Sequence, residues 1–381
     1  MNLVLRSAVG ALALLASLAP PAKAAELSWA DCGDGPACAR LTVPADWARP
    51  AQAKITVGLA KLPAKNQATS KGVLLVKTGG PGAQIRILRQ AKATFEDLTT
   101  WFDVAIFDPR GFGTSSGITC PTPAPFTYEW VFPDRAAFDA YAAKNRAFGE
   151  TCGKEAGPLS GRLTSWQAAH DMDAIRRALG ESRLTYFGNS HGTALAQAYV
   201  ELFPGKVGRM YLDSVIDHTT ISLRDWLKRR AKALEGNFHR FAGWCERTST
   251  CALHGKDVEA VWDEVLATAR REPIPAGPGV TVTDTQIVSR SGFAYQEMWE
   301  RMATGISQAQ AGDATFFTKV EGLPDPDLSR IFICAEFPYP GSRYLNATGD
   351  HALYLSGNTC VREHVHRYLT TGALPPVGAS C

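Results

Sequence analysis

The stretch "LTYFGNSHGTALAQAYV" runs from Leu184 to Val200 and sets Ser190 between Gly188 and Gly192. A serine hydroxyl attacks a carbonyl only when a base removes its proton and donors receive the new oxyanion. The spacing predicts a sharp turn from a strand into a helix, which lifts the serine side chain clear of the backbone. Glycines two before and two after keep the tight crossing free of side chains. The His191 amide and the helix N-terminus then face the oxyanion. The competing reading is a turn serine that stands between glycines by chance. "TGGPG" (78–82) closes an earlier apolar run. Its glycines let a backbone amide, that of Gly80, approach as a second oxyanion donor. An ordinary glycine turn is the alternative there.

The base is expected late in the chain, after nucleophile and acid. Of the eight histidines, His351 in "LNATGDHALYL" has this position, in a glycine-containing loop. His364 and His366 fall in the last predicted helix as surface or packing residues, and His170 in the helix before Ser190. The side chain of His191 is expected to point away from the line of attack. In "DPRGFGTS" (108–115) an Asp108–Arg110 ion pair is expected to build the site rather than react. No Walker-type Lys/Ser pair follows these glycines, which argues against a phosphate cradle.

Alternating strands and helices must hold these groups. "ARLTVPADW" and "KITVGLAKL" are strand-like, and "GVLLVKTGGPG" and "WFDVAIFDPRGFGTSSG" each run from an apolar strand into a glycine turn. "SWQAAHDMDAIRRALG" (165–180) places Ala168, Met172, Ile175 and Leu179 at helical steps, with Gly180 as the stop. "RLTYFG" is the next strand, "GTALAQAYVELFP" the next helix and "VGRMYLDSVID" (207–217) another strand. The pattern predicts an α/β fold with a mostly parallel sheet covered on both faces. Three amphipathic helical stretches follow, "RDWLKRRAKALEGNFHRFAGWC", "VEAVWDEVLATARR" and "GFAYQEMWERMATGISQAQ". They read as a helical insertion over residues 219–330, between core parts at 25–218 and 331–381. A last strand, "SRYLNATG", and a last helix, "CVREHVHRYLTTG", close the chain.

The first 24 residues have an early Arg6, a short apolar run and Ala22-Lys23-Ala24. This predicts a signal peptide cleaved after Ala24, and a secreted or periplasmic protein. The residue directly after that point is Ala25 rather than a cysteine, so no stable membrane anchor is expected. Nine cysteines suit an oxidising compartment. Cys32/Cys38, Cys120/Cys152, Cys245/Cys251 and Cys360/Cys381 read as pairs, which leaves Cys334 single. A net charge of +3 without a basic block argues against a nucleic-acid partner. No cofactor is called for, and no metal-binding cluster is seen.

With these motifs in their order, the chain resembles the secreted α/β-hydrolases of the tripeptidyl-aminopeptidase and proline-iminopeptidase type. The similarity is carried by "WADCGDGPACARLTVPADWARP", "TGGPG", "FDPRGFGTS", "FGNSHGTALAQAYVELFPGKVGRMYLDSVID" and "PGSRYLNATGDHALYLSGNTCVREHVHRYLTTGALP". It covers most of the chain after the signal peptide. The resemblance implies Ser190 as nucleophile, His351 as base, and Gly80 with the His191 amide as oxyanion hole. It implies cleavage of residues or short units from peptides with a free N-terminus, under a helical cap formed by the insertion.

The sequence departs from the family in three places. Thr78 replaces the usual His or Asn before the glycines, and His191 follows the nucleophile. After "RIFICAEFP" the chain passes almost directly to the last strand, so the segment that bears the triad acid in the family is read as absent. The C-terminal half is therefore shortened, and the expected partner of Cys334 is lost with it. The last strand is expected to pair where the missing one would stand. Asp217, at the entrance to the insertion, is the first substitute acid, beside a purely structural role at that hinge. Glu336 is the second, Asp213 looks structural, and Asp350 adjoins His351 too closely. Loss of the acid altogether is the remaining possibility. Glu297 and Glu300 are expected to bind a substrate ammonium, beside the simpler reading of an exposed helix face. An esterase with the same elbow, or a catalytically impaired relative, competes with the aminopeptidase.

Overall fold

The computed structural model describes residues 27–33, 35–90, 92–121, 134–217, 223–318 and 359–376. The predicted signal peptide, the 218/219 boundary, Cys334, Glu336, the last predicted strand, His351 and Cys381 lie outside these residues.

Seven strands form one sheet in the order β1-β2-β3-β5-β4-β6-β7. They are β1 (Ala30–Asp31), β2 (Ala37–Pro44), β3 (Lys54–Leu62), β4 (Val73–Lys77), β5 (Asp103–Phe107), β6 (Leu184–Asn189) and β7 (Val207–Asp213). The pairs β4/β5, β4/β6 and β6/β7 are parallel, whereas β1/β2, β2/β3 and β3/β5 are antiparallel. Five of the seven strands therefore point one way, with β1 and β3 opposed. The connection from β4 leads to β5 on one side, and that from β6 leads to β7 on the other. The order thus reverses between β4 and β6. Crevices outside the carboxyl ends of strands at such a reversal are where α/β sheets bind ligands. The two loops that leave β4 and β6 carry "TGGPG" and Ser190.

The central strands alternate between two buried faces. Leu75, Ala105, Phe107 and Tyr186 join one core with Ala168, Met172 and Ile175 of α4 (Ser165–Ala178) and Leu195 and Ala198 of α5 (His191–Leu202). Phe148 and Cys152 of α3 (Arg135–Glu155) pack on the same side. Leu74, Val76, Val104, Ile106 and Phe187 face the opposite core. Leu88 of α1 (Ile85–Gln90), Phe95 of α2 (Lys92–Glu96) and Val361, Val365 and Leu369 of the C-terminal helix Thr359–Thr371 complete it. This is why the strands read as continuous apolar runs. His366 of the last helix packs at a tilt against Trp101, with ring centres 5.0 Å apart. The same helix closes on β7: the Met210 N–H donates to the Tyr368 hydroxyl at 3.3 Å, and Arg209 donates to the Leu369 carbonyl.

Helix α4 begins with the Thr164 side chain accepting from the Gln167 N–H, and Gly180 follows its end at φ 77°. β7 ends at Asp213, four residues before the expected Asp217, because Ser214 turns the chain at φ 56°. A separate hydrophobic cluster fills the helical segment of α6 (Leu223–Arg247), α7 (Val258–Arg271), α8 (Asp284–Ser289) and α9 (Trp299–Gln310). Phe238, Phe241 and Trp262 surround Phe293 at 5.0–5.1 Å between ring centres. A short hairpin of Ile274–Pro275 with Thr281–Val282 interrupts the helices, and α9 starts later than its pattern predicts. The expected disulfides Cys32–Cys38, Cys120–Cys152 and Cys245–Cys251 are formed, and Cys360 is also disulfide-bonded. Among the described residues, no helix is long and apolar enough to cross a membrane.

Candidate active site

Ser190 joins β6 to α5 with φ 50° and ψ −119°. A non-glycine residue at positive φ is strained and persists only where its surroundings enforce it. Three backbone bonds do so here. The Ser190 N–H donates to the Asp213 carbonyl at 2.9 Å, and the Ser190 carbonyl accepts from the Thr193 N–H at 2.9 Å and the Thr193 hydroxyl at 2.7 Å. The flanking glycines are required by contact. A Cβ on Gly188 would stand 2.6 Å from the Tyr186 ring and 2.9 Å from the Gly192 carbonyl oxygen. A Cβ on Gly192 would stand 2.5 Å from the carbonyl oxygen of Lys77 on β4. The Tyr186 hydroxyl, held well above its usual range by burial, stays protonated and donates to the Gly192 carbonyl at 2.8 Å. His191 is buried at the first turn of α5, whose N-terminal amides offer partial positive charge.

The Thr78–Gly82 loop presses on this turn. A Cβ on Gly79 would lie 3.2 Å from the Ser190 Cβ. Gly79 and Gly80 have φ of 107° and 101°, values that suit glycine alone. Gln84 braces the loop from behind: its Oε1 accepts from the Thr78 N–H and hydroxyl, and its Nε2 donates to the Gly79 and Gly82 carbonyls at 3.3 and 3.1 Å. Gln84 is anchored in turn by Asp108, whose carboxylate accepts from the Gln84, Ile85 and Thr114 N–H groups and the Thr114 hydroxyl.

Asp108 does not pair with Arg110, contrary to the expectation from their spacing. Arg110 turns away into the core and makes a bidentate pair with Asp171 of α4, at 2.8 and 2.6 Å. It also donates to the Ala45 and Pro44 carbonyls, and the Trp47 indole donates to Asp171. Asp108 is better served by four nearby donors, while Arg110 spans from the β5 loop to α4 and the end of β2. The "DPRG" turn thus braces the glycine loop through Asp108 and the core through Arg110, with partners other than the expected ones.

Lys77 has no place in the sequence reading. It ends an apolar strand, where a lysine is ordinarily taken to reach solvent, yet it is fully buried. Its amine donates to the Gly79 carbonyl, and its stem packs against Gly192. Burial pushes the amine down to about 7, while the Asp108 carboxylate acts in the opposite direction. Since the unfolded chain keeps the ordinary lysine value, it binds more protons than the native state from about pH 7 up to about pH 10. Stability owed to this group therefore rises with pH across that window. Lys77→Met is expected to unfold later than the parent at pH 6, by up to roughly 4 kcal/mol, with the gain shrinking toward pH 10. Urea denaturation at both pH values measures it.

The other expected site residues fall in different surroundings. Asp217 follows Ile216, whose N–H donates to the Thr193 hydroxyl at 3.0 Å, so it stands at the level of the elbow. Its carboxylate accepts from Arg229 of α6 at 2.6 Å and is 42% exposed. Asp213 supports Ser190 through its backbone carbonyl, and its carboxylate accepts from the Ser214 hydroxyl at 3.0 Å. Glu297 and Glu300 are both exposed at the start of α9. A cleft of about 450 Å³ lies beside them, lined by His239, Arg240, Gly243, Trp244, Arg247, Gln296 and Trp299. Its arginines do not suit an ammonium, and none of its lining belongs to the elbow or the glycine loop. His351 and Glu336 lie outside the described residues.

A family model described as "alpha/beta hydrolase fold" matches residues 72–316, and one described as "TAP-like protein" matches residues 335–381. The tripeptidyl aminopeptidase of Streptomyces lividans is 29% identical over 330 residues, covering 80% of this chain and 59% of the relative. The serine protease Hip1 of Mycobacterium tuberculosis is 29% identical over 326 residues, covering 77% and 61%. The chain thus spans about three fifths of the length of these curated relatives. The crystal structure of a proline iminopeptidase from Mycobacterium smegmatis is similar at 14% identity and a TM-score of 0.40, covering 87% of this chain and 97% of that one.

Proposed function

We propose that this chain, which belongs to the α/β-hydrolase family, is an exported serine hydrolase that releases residues or short peptides from free N-termini. The observation that carries the reading is the strained Ser190 at the point where the strand order reverses, with the Gly79–Gly80 loop pressed against it. Strained non-glycine residues cluster at working sites, and here three bonds to the backbone and two crowded glycines hold the strain in place. The peptidase similarity of the relatives supports the substrate class, and three disulfides support export.

In this reading the Ser190 Oγ attacks the scissile carbonyl as His351 takes its proton. The Gly80 and His191 amides bind the oxyanion. His351 then returns the proton to the departing amine, and water hydrolyses the acyl-enzyme by the same route. Residues 219–330 are read as a cap that limits access; Glu297 and Glu300, exposed beside a cleft lined by arginines, are not assigned the ammonium. Asp217 orients His351, giving up Arg229 when it does so. An exposed ion pair of this sort contributes only about 0–1 kcal/mol, so the exchange is cheap. Asp217→Asn is expected to lower turnover by up to about 10⁴-fold. A change below about tenfold would leave Asp217 a structural role, the Arg229 pair included.

Paired substrates test the activity. Aminoacyl-4-nitroanilides with a free N-terminus should be cleaved, and N-acetylated counterparts should not. Turnover of short acyl esters alone would instead establish an esterase.

A further inference from the structure

We propose that Lys77 is a positioning residue for acyl transfer at Ser190: bound beneath the Gly79 carbonyl, it turns the Gly80 N–H toward the oxyanion and sets a positive charge behind that peptide. This rests on the Ser190 reading above and extends it to a residue outside the triad and the oxyanion donors.

The geometry starts from the Gly79–Gly80 peptide. Its carbonyl is drawn inward by two donors, the Lys77 amine and the Gln84 Nε2. In a planar trans peptide the C=O and N–H point in opposite directions. Holding the Gly79 oxygen inward therefore turns the Gly80 N–H outward, away from Lys77. Among the described residues that N–H meets no protein acceptor. Gly79 itself lies against the Ser190 Cβ. The outward face of this peptide is thus the one that a substrate carbonyl on Ser190 would meet.

The charge acts through the same peptide. A cation on the carbonyl oxygen polarises the amide and strengthens its N–H as a donor, as in any chain of hydrogen bonds. The effect is large only where water is excluded, and Lys77 is fully buried. Asp108, from the loop after β5, is the charged group that acts on it. Thr78–Gly82, Gln84 and the Gly188–Asn189 strand end around it carry no charge, and His191 is the titratable residue on the first turn of α5. A buried lysine that costs stability near neutral pH breaks a rule of core composition, and such breaks concentrate at working sites.

The test follows the rate at which a fluorophosphonate probe modifies Ser190, because the probe uses the oxyanion hole and has no ammonium of its own. Lys77→Met keeps the side-chain length and is expected to fold. At pH 6 its labelling should be at least tenfold slower than that of the parent protein. In the parent the rate should fall as the lysine loses its proton above about pH 7, and in Lys77→Met this alkaline limb should vanish. Equal rates, or a slower variant that keeps the limb, would overturn the proposal, as would a parent profile with no limb at all. A folded parent that takes up no probe would overturn the Ser190 reading and this inference with it, an outcome distinct from the other three.

Discussion

Replacement of Ser190 by alanine is expected to lower turnover of an N-terminally free nitroanilide by roughly 10⁴–10⁶-fold. The size follows from what is removed. Positioning and oxyanion donors survive the change, and they alone leave a residual rate well below that of the intact machinery. The fold should not suffer. Every bond that holds Ser190 in its strained turn is made by its backbone: the N–H to Asp213, and the carbonyl from Thr193. An alanine keeps all of them at the same φ. Activity and thermal unfolding should therefore separate cleanly, with turnover lost and the melting temperature nearly unchanged. Retained turnover would move the nucleophile to another residue.

The second large effect concerns stability. Arg110→Met is expected to destabilise the protein by about 3–5 kcal/mol, because it leaves the Asp171 carboxylate buried without its cation. The pair is wholly inside, with side-chain exposures of 0% and 1%. After the change, Asp171 would keep the Trp47 indole as a donor, and the Pro44 and Ala45 carbonyls would lose theirs. Adding Asp171→Leu should recover much of the loss, since two apolar residues of similar volume no longer bury an unpaired charge. The contrast with Asp217–Arg229 is instructive. That pair has a similar N–O distance of 2.6 Å, but its side chains are 42% and 55% exposed. Breaking it should cost at most about 1 kcal/mol. Urea unfolding followed through tryptophan emission would compare the two, with Trp47 as a local reporter.

The elements that locate the site were legible because their signals are local. Gly188, Ser190 and Gly192 sit within five positions, and their contacts show why neither glycine tolerates a Cβ. The runs around β4, β5 and β6 are apolar on both faces, as a covered parallel sheet demands. The disulfides Cys32–Cys38 and Cys245–Cys251 close loops of 6 residues and needed no long-range information. What escaped depends on distant partners. Arg110 and Asp171 are 61 positions apart, so a pairing with the nearby Asp108 looked natural. Lys77 drew no reading, because only the loop folded over it buries the amine. A lysine directly before a glycine loop, at the end of an otherwise apolar strand, was the available signal. Helix α3 was passed over because few of its residues are buried: Phe148 and Cys152 are the two. β7 was drawn too long because the turn at Ser214 comes from a positive φ at a residue type that does not announce it.

The proposed chemistry sits on Ser190 and its immediate supports rather than on the wider helical segment. The direct measurement is active-site labelling of the folded full chain with a fluorophosphonate probe, mapped by mass spectrometry. Stoichiometric modification at Ser190, absent in Ser190→Ala, is the expected result. A folded protein that takes up no probe, or takes it up at a different serine, would contradict it.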